Sequence, residues 1–212
     1  MGVPGIIVRS VYPEASGMPN FQAGTFITDH RSPIKQRWGG WYVSGKHGSQ
    51  FHMGNAVVRD KDKPDQLERE GTQNLTSLAG KFDVEAYLAP HSDIVALLTL
   101  EHQTHMTNLI TRLGWEARMA LHSQKEINKL FNQPGSMINE STRRRIDSPV
   151  EEMLAYMLFL EEPLLEEPVG GVSPFTMTFQ QRGPRDRKGR SLRDFDLKKR
   201  LFRYLYDLHG SL

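Results

Sequence analysis

Ser92-Asp93-Ile94-Val95-Ala96-Leu97-Leu98-Thr99-Leu100-Glu101-His102-Gln103-Thr104-His105-Met106, continuing through Leu109, Ile110, Leu113 and Ala117, decides how this chain is built. Leu97, Leu100, Leu109, Ile110, Leu113 and Ala117 recur close to every 3.6 residues, the period that places apolar groups on one face of a helix. Ser92 is the N-cap candidate, and Asp93 in the first turn suits the positive end of the helix dipole. The pattern predicts a helix from Asp93 to about His122, with Gly114 a weak point. Ile127, Leu130 and Phe131 extend it until Pro134-Gly135 stops it.

The helical pattern continues downstream. Glu140 to Leu160 carries Met153, Leu154, Met157, Leu158 and Leu160 on one side. Ser148-Pro149-Val150-Glu151 has the form of a fresh N-terminus, so this region reads as two helices or as one kinked at Pro149. Ser173-Pro174 opens a short helix with Phe175 and Phe179 one turn apart. Gly183 to Arg190 is a basic loop, and Leu197 to Leu208 reads as a last helix. Upstream, Ile6 to Tyr12, Ala23 to Thr28, Trp41 to Ser44 and Ala56 to Arg59 read as strands of two irregular hairpins. Turn clusters separate them. The expected class is α+β: an irregular β-hairpin and loop module over 1–90, then a bundle of three to five helices over 91–212. The two form separate domains or one continuous domain.

A 38% hydrophobic and 25% charged composition fits a soluble globular protein, and a net charge of +2 is too small to imply nucleic-acid binding. The chain has no cysteine. That excludes disulfides, thiolate zinc sites, thiol nucleophiles and covalent c-type haem attachment within this chain. No window reaches the roughly 18 consecutive apolar residues of a membrane helix. The start, Met1-Gly2-Val3-Pro4-Gly5, lacks the form of a signal peptide and reads as mid-protein, so a fragment of a longer protein is expected.

Three clusters carry candidate chemistry. Arg37 to Asn55 holds two of the three tryptophans, two of the eight histidines and five glycines. His47, His52 and Met53 are candidate haem or metal ligands, His52 or Met53 first, because imidazole and thioether both ligate haem iron. Trp38 and Trp41, with Tyr42 and Phe51, are candidate walls for a flat cofactor. The alternative is a small core with histidines bonded to backbone. On the long helix, His102 and His105, three apart, share a face, and Glu101 and His105, four apart, can also meet; two histidines and a carboxylate form a candidate zinc or iron set if a further ligand arrives from elsewhere. The alternative is a polar stripe. Arg182 to Arg190 is the most basic stretch, but interleaved aspartates and the lack of stacking aromatics favour a solvated loop over a nucleic-acid surface. No Gly-x-Ser-x-Gly elbow, phosphate loop or dinucleotide fingerprint is present, and no catalytic residue is assigned.

Several stretches together resemble a group of uncharacterised bacterial proteins associated with a cytochrome c-like domain. They are Thr28-Asp29-His30-Arg31-Ser32-Pro33, Arg37-Trp38-Gly39-Gly40-Trp41-Tyr42-Val43, His52-Met53-Gly54-Asn55, Pro90 to Leu97, Leu100 to Met106, and Arg182 through Leu197. The resemblance covers roughly Gly2 to Tyr204. It implies an exported, periplasmic protein with c-type haem attached through a Cys-x-x-Cys-His just upstream of the segment matching Gly2. It makes this chain the non-attaching, downstream part of an electron-transfer protein, with the haem-bearing segment or a redox partner as its partner. Leu205 to Leu212 departs from the group's continuation, and Ser148-Pro149 interrupts a helix the group runs through. The resemblance implies a haem context and no reaction. The alternatives are a non-catalytic helical binding module with structural histidines and, last, a metal-dependent hydrolase on Glu101, His102 and His105.

Overall fold

The computed structural model describes residues 5–191, and the chain is α+β. Strands β1 (Val8–Val11) and β2 (Thr25–Thr28) pair antiparallel, with Val8 opposite Thr28 and Val11 opposite Thr25. Alternation along β1 buries Val8 and Ser10 and exposes Arg9, as a half-buried strand requires. Among the described residues three α-helices follow: α1 (Ile94–Leu130), α2 (Glu140–Met157) and α3 (Phe175–Gln181). The predicted helix over Leu197 to Leu208 lies outside the described residues.

Two compact units divide the chain. One comprises Met1–Ile6 and Gln103–Leu160, the other Ile7–His102 and Glu161–Leu212. Several links join the segment after α2 to the earlier part of the second unit. Lys46 and Gly170 exchange backbone hydrogen bonds, each 2.8 Å. Gln50 donates to the Glu167 carbonyl at 2.9 Å and accepts from the Glu166 amide at 2.9 Å. The chain after α2 therefore completes the N-terminal module.

The second expected hairpin does not form. Ser44 makes a single bridge to Asp93, Val57 one to Glu68, and Val58 one to Glu14. Trp38 and Asn55 have φ near +65°, and Gly40, Gly45 and Gly48 are also at positive φ. A strand register cannot run through backbone in that region. The core of this unit is Trp38, Val43, Ile94, Val95 and Leu97, flanked by Ile34, Trp41, Leu98, Val169 and Phe175.

The helical unit is a hairpin. Asn139 caps α2 by accepting from the Thr142 amide at 2.7 Å, and the helix continues through the buried Pro149 rather than restarting there. Inside a helix, proline removes its own donor bond to the preceding turn and crowds the carbonyl four residues back, a cost that α2 carries at Pro149. Across the seam, Gln124 accepts from the Thr142 hydroxyl at 2.7 Å and donates to Asn128 at 2.6 Å. Asn128 in turn donates to the carbonyls of Pro134 and Met137, closing the turn between the helices.

Asp93, not Ser92, caps α1. Its Oδ1 accepts from the amides of Val95 and Ala96, and its Oδ2 accepts from the Val172 and Ser173 amides and the Ser173 hydroxyl. Ser92 is held instead by Ser44, whose Oγ accepts the Ser92 amide and whose own amide donates to the Ser92 carbonyl. Asp93→Ala removes both the cap and this junction. Urea denaturation is expected to show a loss of roughly 2–4 kcal/mol, and Asp93→Asn a smaller one.

Candidate functional site

The module over Arg37 to Asn55 is held by backbone and imidazole together. Arg37 and Met53 are joined by a 3.0 Å bond from the Met53 amide to the Arg37 carbonyl, and the Asn55 amide reaches the Trp41 carbonyl at 3.0 Å. Asn55 also clasps Val43 through both its side-chain oxygen and nitrogen, at 2.7 and 2.8 Å. This two-ended bond needs the left-handed backbone at Asn55, a conformation asparagine tolerates. Trp38 has the same backbone sign without that tolerance. It is fully buried, and its Nε1 has no acceptor among the described residues. Backbone strain on the order of 1–3 kcal/mol and an orphaned buried donor both sit at this residue, features that concentrate at functional sites.

His47 and His52 meet edge to face with ring centroids 4.6 Å apart, and Trp38 packs on His52 in the same manner at 5.4 Å. His47 donates from Nδ1 to the Gln50 carbonyl at 2.6 Å and accepts the Asn74 amide at Nε2 at 3.0 Å. Both its ring nitrogens are engaged, which fixes the neutral Nδ1-protonated tautomer. His52 accepts the Gly54 amide at Nδ1 at 3.0 Å, which leaves its proton on Nε2. Burial lowers the pKa of both rings. For His52 it reaches about 3, through burial first and then the charges of His47 and Arg69. In these tautomers neither imidazole keeps a lone pair for a metal.

Met53 is different. Its sulfur accepts one weak bond from the Ser10 hydroxyl at 3.6 Å and keeps a second lone pair. Met53 lines a cavity of about 360 Å³ with Tyr12, Phe26, Phe51 and Leu67 as apolar walls and Lys35 and Arg69 among its charged residues. Arg69 stands 5.5 Å from the centre of the Phe51 ring. Gln36 and Asp65 complete the lining, so the cavity joins a thioether and aromatic walls to two cations and one carboxylate, a set that could take one edge of a haem with its anionic propionates against Lys35 and Arg69. Trp41 is half-buried against the unit's core and donates from Nε1 to the Arg9 carbonyl at 2.8 Å. Trp38 and Trp41 pack in and against the unit's core and are not among the cavity's lining residues.

The second candidate set is brought together differently from its expected form. Glu101 is 1% exposed and accepts from Arg37 Nη1 at 2.9 Å and from the Thr28 hydroxyl at 2.8 Å. Arg37 donates further to the carbonyls of His30 and Ser32. Burial pushes the Glu101 carboxyl up to about 7, against the pull of Arg37 and Thr28. His102 meets His30, Nδ1 to Nδ1, at 2.9 Å, so one ring donates and the other accepts. His105 packs on Tyr156, ring centroids 4.6 Å apart, in the helical unit. Among the described residues no three histidine, aspartate or glutamate side chains converge as a cation requires. Thr28, His30 and Arg37 are the partners that periodicity did not indicate. Their only signal was their presence in the stretches carrying the resemblance. The basic loop closes on itself, with Asp186 binding Arg190 and Arg185 reaching the Gly189 carbonyl.

No family model, curated protein or solved structure matches this chain. No helix of the described residues is long and apolar enough to cross a membrane.

Two outcomes test this geometry. An unfolded imidazole protonates near 6.5 and folded His52 not until about 3. Acid therefore draws protons to the unfolded chain first, and stability falls as pH falls through that window, by up to about 1.4 kcal/mol per pH unit. Glu101 acts in the opposite sense, so the parent is expected to be nearly flat between about pH 6.5 and 4.5, whereas denaturation midpoints of His52→Gln are expected to rise toward acid over that interval. Arg37→Met leaves the Glu101 carboxylate buried without its cation. A loss of roughly 3 kcal/mol or more is expected at about pH 8, and a smaller one at about pH 5, where Glu101 is protonated.

Proposed function

We propose that this chain is the non-attaching part of a haem-associated electron-transfer protein, receiving one edge of a c-type haem carried by sequence outside it. The cavity that Met53 lines carries this reading, because it joins an available thioether to aromatic walls and cationic side chains. The resemblance noted over most of the chain, to proteins associated with a cytochrome c-like domain, is in keeping with this reading and with an extracytoplasmic location. In this reading Met53 would ligate the haem iron, Phe51, Tyr12 and Phe26 would shield the haem from water, and Lys35 and Arg69 would hold its propionates. The haem itself supplies the one-electron couple; a thioether ligand, a dry wall and nearby cations set its potential.

The hydrogen bonds from His47 and His52 to backbone support assigning them to positioning. They hold the loop that presents Met53, through the Gly54 amide and the Gln50 carbonyl. The test is titration of the full chain with a haem c peptide that has one histidine ligand and an open sixth position. Saturable binding is expected, with the long-wavelength band of thioether-ligated ferric haem. Met53→Leu, which keeps the buried volume, is expected to remove that band and leave the fold intact. Absence of binding, or the same spectrum in Met53→Leu as in the parent, would overturn the reading.

A further inference from the structure

Met53 rests on the segment that begins at Arg37. Its amide donates to the Arg37 carbonyl at 3.0 Å. Its methyl lies against Gly39, where an added Cβ would stand 3.0 Å from Met53 Cε. Trp38, fully buried, joins these two contacts. The side chain of Arg37 is held by charge. Its Nη1 meets Glu101 at 2.9 Å, with exposures of 4% and 1% for the two side chains. Its Nη2 donates to the His30 carbonyl and its Nε to the Ser32 carbonyl, each at 2.8 Å. Thr28 donates to the other oxygen of Glu101 at 2.8 Å. Glu101 is not among the residues lining the Met53 cavity, so whatever it does there passes through Arg37.

A buried guanidinium depends on its counter-charge, because no water replaces it. Burial foremost, with Asp29 adding to it, holds Glu101 toward its protonated form against Arg37 and Thr28, and the carboxyl comes to about 7. Asp29 is itself paired with Arg31, and His102, the next residue of α1, meets His30. Near neutral pH Glu101 therefore passes between a charged and a neutral form inside the protein. The neutral form still offers an oxygen to Arg37, but the attraction between charges is gone and the guanidinium draws off the carboxyl. The Arg37 carbonyl moves with it, and so do the Met53 amide and the contact at Gly39. We propose that the Met53 thioether is placed by a proton: the charge state of Glu101 sets the position of Arg37, and Arg37 sets that of the sulfur. Arg37 and Glu101 are then positioning residues. The use of such a link rests on the haem reading, in which the group that follows the proton is the one that would ligate iron.

NMR of the full chain, labelled at its methionine methyl carbons and without haem, tests this. Met53→Leu, which keeps the buried volume, assigns the Met53 methyl among the nine methionines. Between about pH 5 and pH 9 that resonance is expected to shift with a midpoint at about 7. The neighbouring His52 titrates well below this range, at about 3. Glu101→Gln keeps the shape and cannot ionise, and it is expected to abolish the shift. Should that variant fail to fold, Thr28→Val removes a bond that favours the ionised carboxylate. It is expected to raise the midpoint by roughly one pH unit. A Met53 resonance that stays fixed over the range overturns the proposal. So does a titration that survives in Glu101→Gln or keeps its midpoint in Thr28→Val. A chain that binds no haem peptide still shows the methyl titration, and a chain with a fixed methyl still binds the peptide, so the two failures are told apart.

Discussion

Arg37 and Glu101 face each other at 2.9 Å with almost no exposure to water, and Thr28 supplies a further hydrogen bond to the same carboxylate. A charge pair this deep is weak evidence for stability in itself, since desolvation opposes attraction, but removing one member leaves the other stranded. What the pair fixes is position. The side chain of Arg37 ties the first turns of α1 to the loop after β2, while its carbonyl receives the Met53 amide. One residue thus sets both where the long helix enters and where the thioether lies. Trp38 follows it directly in a left-handed conformation that the fully buried indole holds in place.

The two strongly perturbed groups of this unit act in opposite senses with pH. His52 is held neutral by burial, so its contribution is present above the ordinary histidine range and is lost toward acid. Glu101 is held toward its protonated form by burial, so its contribution is present below the ordinary carboxylate range and is lost as pH rises through about 7. Between roughly pH 4.5 and 6.5 the two slopes offset each other. A module built from buried polar groups thereby avoids a steep dependence of stability on pH in that interval.

Helical periodicity was the most legible signal. It placed α1, α2 and α3 with ends close to the observed ones, because an apolar stripe and a terminal Pro-Gly are local facts. Asp93 and Ser92 exchanged roles because both are good caps and only the tertiary partner, Val172-Ser173, decides between them. Ser148-Pro149 looked like a start signal, yet α2 runs through a buried Pro149 despite the lost bond and the crowding that an interior proline brings. The missing second hairpin has a different cause: left-handed backbone at Trp38 and Asn55 has no signature in residue type for tryptophan. His102 was singled out with His105 on helical spacing alone, whereas its partner, His30, lies 72 residues away in sequence. Helical spacing identifies residues that share a face; it carries no information about what that face meets.

The proposed assignment of Met53 rests on counting lone pairs. A neutral imidazole has one acceptor nitrogen, and in His47 and His52 an amide already occupies it, from Asn74 and Gly54 respectively. Turning either ring to a metal breaks a buried backbone bond and leaves an amide unsatisfied, a cost of about 1–3 kcal/mol before any ligation begins. A thioether sulfur accepts weakly, so ligation by Met53 gives up at most a 3.6 Å contact with the Ser10 hydroxyl. That hydroxyl already accepts the Gly39 amide at 2.8 Å and loses little else. The same reasoning explains the dense packing of glycines around these rings. At Gly39 a Cβ would stand 2.0 Å from the Val11 carbonyl, and at Gly54 one would stand 2.4 Å from Val43. Gly54 keeps its amide within reach of His52 Nδ1, while Gly39 keeps backbone against β1 with its amide on the Ser10 hydroxyl; the engagement of the imidazoles leaves the sulfur as the available donor.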